Sequence, residues 1–296
     1  MRATLLEPSS TAVGTQSTLR IISANVEGAN KGCWDEQIDL IRGFRVDHPN
    51  VFVMLQECCW GTDLQDPLPR PQQLVDLEHK LNMHGLLAVA PLAGHHTVLL
   101  HSPAITQVTP FNTNATKEVG HALGVADFHV PGLALPVTAA SVHLSPPSPE
   151  KRLLEVAVLA QKGKPRGLSI LAGDFNWTPL GDPERREPVP DWADSHPFFR
   201  AEICGNGDVA DREAPLRLAK MGYFDAAVLA AGEAGRTPTA HGIRRDGIYV
   251  SERMSGAPYR YRCITEPVER RWSDHAMIVA DLDLRQVDVA PREAWL

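Results

Sequence analysis

Short apolar runs that border charged or amide residues are the feature of this chain that most restricts its fold. Residues 169–176 read SILAGDFN, residues 273–280 read SDHAMIVA, and residues 51–57 read VFVMLQE. Aliphatic and β-branched runs of this length are typical of buried strands. Carboxylate, amide and imidazole groups therefore lie at strand ends. There they can bind a hard divalent cation and move protons beside a phosphate.

Apolar periodicity along the rest of the chain predicts alternating strands and helices. Strands are predicted over residues 19–25, 51–56, 97–101, 124–129, 137–143, 169–172, 247–251 and 275–284, and helices over residues 34–45, 72–83, 150–161 and 214–221. The strands at 124–129 and 137–143 are predicted to form a hairpin across Pro131-Gly132. Because antiparallel pieces are mixed with strand–helix–strand units, the pattern favours an α/β domain with mixed sheets.

The charge balance limits how the chain can interact with nucleic acid. It carries 29 Lys and Arg against 36 Asp and Glu, a formal net charge of −7 over 296 residues. Proteins that hold DNA tightly without sequence preference usually have a basic face that releases counterions. The acidic balance argues against that class. It leaves nucleic acid open as a substrate, because acidic metal ligands also lower the net charge.

The cysteines and the N-terminal segment indicate a reducing compartment. Five cysteines form neither an even disulfide framework nor a metal-finger spacing, so buried thiols are expected. Residues 1–18 lack the basic start and long apolar stretch of an export signal and are predicted to form a flexible tail. We therefore expect a cytoplasmic monomer that makes no membrane contact.

Six motifs follow one another along the chain, each at a predicted strand end: Asn25-Val26-Glu27-Gly28, Gln56-Glu57, Ser141-Val142-His143-Leu144, Gly173-Asp174-Phe175-Asn176, Asp246-Gly247-Ile248-Tyr249-Val250-Ser251 and Ser273-Asp274-His275. In this order they resemble the endonuclease/exonuclease/phosphatase superfamily, the deoxyribonuclease-I-like proteins. The resemblance covers residues 19–285 and implies a four-layer α/β sandwich, in which two mixed β-sheets pack face to face and are flanked by helices. It leaves residues 286–296 as a C-terminal tail and residues 178–212 as an insertion near the site.

The resemblance and the residue chemistry together identify candidate ligands for a divalent metal. Glu57 resembles the principal ligand, with Asn25 and Glu27 beside it and Asp274 contributing from the other half of the chain. Oxygen ligands of this kind suit Mg²⁺ or Mn²⁺, with water in the remaining octahedral positions. The alternative for Glu57 is a structural ion pair, since a carboxylate after a mostly apolar run is costly without a partner.

The resemblance also implies that five residues carry out the hydrolysis: His143, Asp174, Asn176, Asp246 and His275. His275 would act as general base or orient the water, with Asp246 holding its ring tautomer. Asp174 would lie near the water or the leaving group, while Asn176 and His143 would donate to phosphate oxygens. A satisfied structural histidine and an Asp/Asn turn are the alternatives. Asp274 and His275 are adjacent, so a turn at Ser273 is needed to bring both into one pocket.

Four more residues are predicted to contact a substrate phosphate: His96, His241, Arg244 and Arg245. His96 directly precedes a predicted strand, where the family often places substrate contacts. The other three directly precede Asp246, and arginine suits bidentate phosphate recognition. A zinc cluster of His95, His96 and His101 and a solvated loop over residues 241–245 are the alternatives.

The sequence thus predicts a divalent-metal-dependent hydrolase of phosphoester bonds. The leading hypothesis is a nuclease-type phosphodiesterase that cleaves DNA or RNA by metal-assisted attack of water. The alternative is a small-molecule phosphatase acting on a nucleotide, sugar or lipid head-group phosphate, which the acidic balance and the insertion favour. A third class, a binding module without activity, would have lost at least one residue of the predicted site, and all are present.

Overall fold

The computed structural model describes residues 17–27, 32–60, 70–90, 94–179, 197–205 and 209–290. Its strands are β1 (Thr18–Asn25), β2 (Val51–Cys58), β3 (His84–Ala88), β4 (His96–His101), β5 (Thr106–Gln107), β6 (Leu123–His129), β7 (Val137–His143), β8 (Leu168–Asp174), β9 (Tyr223–Asp225), β10 (Asp246–Ser251), β11 (Pro258–Ile264) and β12 (Met277–Asp283). Its helices are α1 (Trp34–Arg45), α2 (Gln72–Leu81), α3 (Pro149–Gly163), α4 (Pro197–Cys204), α5 (Glu213–Lys220), α6 (Ala226–Ala231) and α7 (Glu266–Glu269).

Within the described residues the strands form two six-stranded sheets of the same design. The first has the order β11-β12-β1-β2-β4-β3 and the second the order β5-β6-β7-β8-β10-β9. Each sheet contains one parallel pair, β1 with β2 and β7 with β8, and its other neighbours run antiparallel. The register places Asn25 opposite Gln56 and His143 opposite Asp174. Both parallel pairs therefore end in polar residues at their carboxyl ends.

Apolar packing between and outside the sheets produces the layers. Between the sheets lies the largest cluster, where the rings of Phe52 and Phe128 meet edge to face with centroids 5.1 Å apart. The outer face of the first sheet packs against α1 and α2 through residues such as Ile38. The outer face of the second sheet packs against α3 and α5 through residues such as Leu159. This confirms the predicted four-layer α/β sandwich with two mixed sheets.

Several short elements have no clear signal in the sequence. Strands β3, β5, β9 and β11 and helices α4, α6 and α7 fall outside the predicted set. Strand β11 exposes Tyr259 and Arg260, so it lacks the apolar run that would indicate a buried strand. The last strand begins at Met277 rather than at His275, which instead forms an isolated bridge with Ala240.

The structure describes only parts of the predicted tails and insertion. Thr18 already belongs to β1, and residues 1–16 of the predicted N-terminal tail lie outside the described residues. Helix α4 lies within the predicted insertion, of which residues 180–196 and 206–208 are likewise not described. At the other end Val287 packs in the core between the sheets, and residues 291–296 are outside the described part. All five cysteines are free thiols. No helix of the described residues has the length and apolar character needed to cross a membrane.

Candidate active site

Strand alternation brings four of the predicted residues into the space between the sheets. The apolar cluster between the two sheets is the inner core. Four polar residues lie an even number of positions from inner-core side chains on their own strands: Asn25, His143, Asp174 and Asp246. Because side chains on a strand alternate between its two faces, all four point inward. Each is at most 2% exposed. The end of the inner core is therefore lined by an amide, an imidazole and two carboxylates.

Glu57 reaches the same space because of a β-bulge. Leu55 packs between the first sheet and helices α1 and α2. Because side chains on a strand alternate between its two faces, Glu57 would be expected to point toward the same helices. The pairing of β2 with β4 shifts between Leu55 and Cys58, and Glu57 has a left-handed φ of +57°. Bulges of this kind redirect a side chain and are frequent beside active sites. Here the bulge turns the Glu57 carboxylate onto Asn25.

Asn25 connects carboxylates from both sheets. Its Nδ2 donates to Glu57 Oε1 at 3.0 Å and to Asp174 Oδ2 at 3.1 Å. Burial raises the pKa of Glu57, although the hydrogen bond from Asn25 opposes the shift. Burial also acts to raise the pKa of Asp174, but His275 and His143 outweigh it, so that pKa is lowered. Asp174 is therefore ionised at neutral pH.

The Ser273-Asp274-His275 segment turns as the predicted pocket requires. Ser273 Oγ donates to Asn25 O at 2.8 Å and accepts from the backbone N–H of His275 at 3.1 Å. Asp274 Oδ1 consequently lies 3.9 Å from His275 Nε2, although the two residues are adjacent. The backbone N–H of Asp274 donates to Glu27 Oε2 at 2.9 Å, which anchors this turn to the end of β1.

His275 is a buried imidazole held between carboxylates. Its Nδ1 lies 2.8 Å from Asp246 Oδ2, and its Nε2 lies 3.7 Å from Asp174 Oδ2. Burial acts to lower the pKa of His275, but the two carboxylates outweigh it and raise the pKa to about 10. The protonated ring is thus strongly favoured in the protein without a cation. Asp246 fixes the orientation of the ring, as the sequence predicts for this pair.

Asn176 closes the pocket on the side of the second sheet. It has a left-handed φ of +52°, and its backbone N–H donates to Asp174 Oδ1 at 2.8 Å. Its Nδ2 donates to Leu144 O at 3.0 Å, and its Oδ1 accepts from an Arg245 guanidinium nitrogen at 2.9 Å. The Asp/Asn turn considered as an alternative is therefore present, and it presents both side chains to the same pocket.

The residues brought together fit a hard divalent cation. Ligand atoms of Glu57, His143 and Asp174 all lie within 4.8 Å of one another, and Asp274 and Glu27 supply carboxylates at the more exposed rim. The carboxylates of Glu57 and Asp174, on facing sheets, repel each other unless a positive charge lies between them. Carboxylate and amide oxygens are the ligands that hard cations prefer. The donor set thus suits the predicted metal.

The predicted phosphate contacts divide into two groups. His96 does not reach the pocket, because its Nδ1 accepts from Ala90 N at 3.1 Å and its Nε2 lies 2.9 Å from Trp60 O. Arg244 also points elsewhere, since it is buried in an ion pair with Asp225, the N-cap of α6. The prediction for these two residues is wrong, because backbone groups hold His96 and the Asp225 carboxylate holds Arg244 away from the pocket.

The remaining two candidates border the site. His241 Nε2 lies 3.1 Å from Asp274 Oδ2, and its side chain is half exposed. Arg245 is buried and bridges Asn176 to the carboxylate of Glu202 on α4. Thr239 Oγ1 accepts from the backbone N–H groups of Arg245 and Asp246, each at 3.0 Å. Glu202 and Thr239 lie in segments without a motif, so the sequence contains no signal that singles them out.

His121 is the main site residue that the sequence reasoning missed. Its ring stacks on His143 with centroids 4.0 Å apart, and the ring of His95 lies 5.1 Å from His121 and 6.2 Å from His143. His121 precedes β6, which pairs antiparallel with β7. The start of β6 therefore lies beside the end of β7, where His143 is. The predicted hairpin of residues 124–129 and 137–143 therefore indicates from the sequence that His121 lies near His143.

Carboxylates and histidines gathered between two mixed sheets define the class of this protein as a phosphoester hydrolase with a deoxyribonuclease-I-like sandwich. The chain belongs to the Endonuclease/Exonuclease/phosphatase family, whose model matches residues 22–275. Enzymes of this family hydrolyse phosphoester bonds and typically depend on a divalent metal. None of the curated protein sequences matches the chain.

Solved structures share the fold at low sequence identity. The 3' phosphatase NExo from Neisseria, bound to a product DNA hairpin, is 20% identical over 90% of this chain and 99% of its own, with a TM-score of 0.59. An AP endonuclease from Archaeoglobus fulgidus is 14% identical over 90% of this chain and 99% of its own, with a TM-score of 0.56. A humanized TDP2 from D. rerio is 16% identical over the same shares, with a TM-score of 0.56. At these identities the likeness shows the fold alone.

Proposed function

We propose that this protein is a nuclease-type phosphodiesterase that cleaves DNA or RNA by attack of water in the presence of Mg²⁺ or Mn²⁺. The observation that carries the proposal is the buried His275–Asp246 pair, which faces the ionised Asp174 across the pocket. Similar structures solved as a 3' phosphatase bound to DNA and as an AP endonuclease support a nucleic-acid substrate. Assays on polymers and on small phosphomonoesters distinguish this function from that of a small-molecule phosphatase.

The metal would be held by Glu57 and Asn25, with Asp274 and Glu27 completing the donor set. When bound, a divalent cation at these oxygens neutralises phosphate charge and lowers the pKa of coordinated water. The Asn25 amide donates to both Glu57 and Asp174 and so fixes the position of the two carboxylates relative to each other. Hard oxygen donors are the reason for proposing Mg²⁺ or Mn²⁺ over softer ions.

His275 would handle the proton of the attacking water at Nε2, while Asp246 holds the opposite nitrogen. The raised pKa of His275 arises from the Asp246 and Asp174 carboxylates. A cation held by Glu57 and Asn25 would offset that effect, and the neutral His275 ring would then be available to accept a proton from water. Asp174 would orient the same water, since its Oδ2 lies 3.7 Å from His275 Nε2.

His143 and Asn176 would stabilise the charge that develops on the phosphate oxygens. Burial lowers the pKa of His143 well below its usual range, so the ring is neutral and can donate one N–H. Asn176 donates one hydrogen of its amide to Leu144 O, which leaves the second for a phosphate oxygen. Arg245 holds the amide oxygen and thereby sets the orientation of the group. His241, beside Asp274, would contact a substrate phosphate at the rim.

The proposed catalytic domain extends from Thr18 to Val287, two residues beyond the predicted 19–285 at the C-terminal end and one at the N-terminal end, because Thr18 lies in β1 and Val287 packs in the core between the sheets. The insertion predicted over residues 178–212 is proposed to influence substrate choice. The protein acts as a monomer in the cytoplasm. A short exposed part of α4 and the half-exposed His241 are the described features that support substrate contact on this side.

The test compares wild-type protein, His275→Ala and His129→Ala with Mg²⁺, Mn²⁺ or chelator. His129 is an exposed histidine at the end of β6 and is the matched control. Substrates are plasmid DNA, single-stranded RNA, a 3'-phosphorylated oligonucleotide, a chromogenic phosphodiester and a set of phosphomonoesters. Loss of general-base catalysis lowers turnover by about 10²–10⁴-fold, so we expect metal-dependent polymer cleavage that falls by this factor in His275→Ala. His129→Ala is expected to retain it.

Two outcomes would contradict the proposal. Turnover of small phosphomonoesters alone would assign the protein to the small-molecule phosphatase alternative. Full polymer cleavage by His275→Ala would show that His275 takes no part in the reaction. Circular dichroism of each variant checks that the fold is intact in either case.

A further inference from the structure

Three histidines from separate segments, His95, His121 and His143, form a histidine cluster beside the site. Their ring centroids make a triangle, with His121 4.0 Å from His143 and 5.1 Å from His95, and with His95 6.2 Å from His143, and the ring planes are tilted by 16°, 12° and 26°. His143 is 2% and His121 8% exposed, while the His95 side chain is 36% exposed at the rim. Neither His95 nor His121 belongs to the oxygen-rich site at Glu57 and Asn25.

The histidine cluster contains buried nitrogen atoms that make no hydrogen bond among the described residues. Nδ1 of His95, of His121 and of His143 is inaccessible to water and makes no hydrogen bond among the described residues. Each buried polar atom left unsatisfied costs roughly 1–3 kcal/mol. Three such atoms on adjacent rings are therefore an expensive arrangement for a purely structural cluster. A ligand that binds these nitrogens would remove this free-energy cost.

The surroundings favour a cation as this ligand. One nitrogen from each of the three rings lies within 4.8 Å of the others. The Glu57 carboxylate lies 3.7 Å from His95 Nδ1, and Asp174 lies 3.7 Å from His143 Nε2. These carboxylates attract a cation and repel an anion.

We propose that His95, His121 and His143 form a second metal site, which takes a transition-metal dication such as Zn²⁺ or Co²⁺. Imidazole nitrogen suits these borderline ions, whereas Mg²⁺ prefers oxygen. Lone pairs lie in the ring planes, so the nearly parallel rings of His95 and His121 rotate about Cβ–Cγ for the nitrogens to converge. The rotation breaks no hydrogen bond at Nδ1. Water completes the coordination.

The site would also fix the tautomer of His143. Its Nε2 faces Glu57 at 4.0 Å and Asp174 at 3.7 Å, so Nδ1 is the nitrogen left for the metal. A ring that ligates through Nδ1 carries its proton on Nε2, where it can donate toward the pocket. This consequence for His143 rests on the proposed function, but metal binding by the histidine cluster does not.

The experiment is a Co²⁺ titration of the full chain after chelator treatment, with Mg²⁺ in excess to occupy the oxygen site. We expect one equivalent of Co²⁺ with the intense visible absorption of a four- or five-coordinate ion. His121→Asn is expected to weaken this binding by at least about 10–100-fold, since even the loss of a hydrogen-bond partner of a metal ligand has effects of that size. His129→Asn, a change of the same type at an exposed histidine, is expected to leave it unaltered.

Weak absorption typical of an octahedral ion, or the same titration in His121→Asn, would overturn the inference. If His121→Asn does not fold, His95→Asn replaces it at the rim. Imidazole ¹⁵N chemical shifts of the wild-type protein with Zn²⁺ test the same ligands without a variant. Co²⁺ binding without phosphoester cleavage would count against the proposed function alone. Cleavage with Mg²⁺ but no Co²⁺ binding would count against the second site alone.

Discussion

His275 carries its charge in a buried position because two carboxylates face it. Burial by itself lowers a histidine pKa, yet Asp246 and Asp174 raise this one to about 10. An excess of negative charge around one histidine is expected of a divalent-cation site before the cation is bound. At the residue scale, the same negative charge thus sets both the protonation state of His275 and the affinity for metal.

Replacing Asp246 with asparagine tests this balance directly. In Asp246→Asn we expect the pKa of His275 to fall by several units from about 10, because burial is then opposed chiefly by Asp174. The measurement is an NMR titration of the imidazole signals in chelator. Asp288→Asn, a change of the same type far from the pocket, is the control. An unchanged His275 titration in Asp246→Asn would contradict the assignment.

The same shift predicts how stability depends on pH. The folded pKa of about 10 lies above the ordinary value of 6.5, so the folded state binds the His275 proton more tightly. Its contribution to stability is complete below pH 6.5 and is lost as the pH rises through 10. We expect the difference in unfolding free energy between metal-free wild type and His275→Gln to shrink across this window. Urea denaturation at several pH values measures it, and a constant difference would contradict the shift.

At the scale of elements, the close approach of β7 and β8 determines where Asp174 lies. These strands are parallel neighbours, and a Cβ on Gly173 would lie 1.8 Å from the carbonyl oxygen of Val142. Only glycine permits this spacing one residue before Asp174. The glycine of the Gly-Asp-Phe-Asn motif is thus a packing requirement of the strand pair that delivers the carboxylate.

Gly173→Ala is therefore expected to destabilise the protein by about 3 kcal/mol or more, at the upper end of single substitutions. The added methyl group must separate β8 from β7, which also displaces Asp174 and lowers activity. Gly167→Ala is the matched control at the other end of β8, since its new Cβ would meet its nearest atom at 3.4 Å. We expect that change to stay within about 0.5 kcal/mol in urea denaturation. Equal effects of the two substitutions would contradict the packing argument.

At the scale of the whole molecule, the site is shared by the two sheets. Asn25 and Glu57 come from the first sheet, whereas His143, Asp174 and Asp246 come from the second. The direct side-chain link between the two carboxylates is the Asn25 amide. A cation bound among these oxygens would therefore hold the sheets together at the open end of the inner core.

This arrangement predicts that metal stabilises the whole domain. Ligand binding to the folded state at 100 times its dissociation constant contributes about 2.7 kcal/mol. We expect saturating Mg²⁺ to raise the unfolding temperature of wild-type protein and to have little effect on Glu57→Gln. Differential scanning fluorimetry with Mg²⁺ and with chelator measures the shift. A shift of the same size in Glu57→Gln would contradict binding at this site.

Much of the fold and part of the site could be predicted from local patterns. Inward-facing Asn25, His143, Asp174 and Asp246 follow from strand alternation, which depends only on neighbouring residues. The hairpin of β6 and β7 also follows from short apolar runs and a Pro-Gly turn. Strand β11 did not follow, because its exposed face carries tyrosine and arginine rather than an apolar pattern.

The sequence by itself determined which chemical groups are available and which strand ends carry them. Only the tertiary structure decided how those groups are used. The bulge at Glu57, the buried partners of His96 and Arg244, and the stacking of His121 on His143 each depend on segments distant in sequence. Local patterns report the direction of a side chain along its own strand. They do not report what the neighbouring strand or loop places against it, and that contact determines protonation, orientation and access to the pocket.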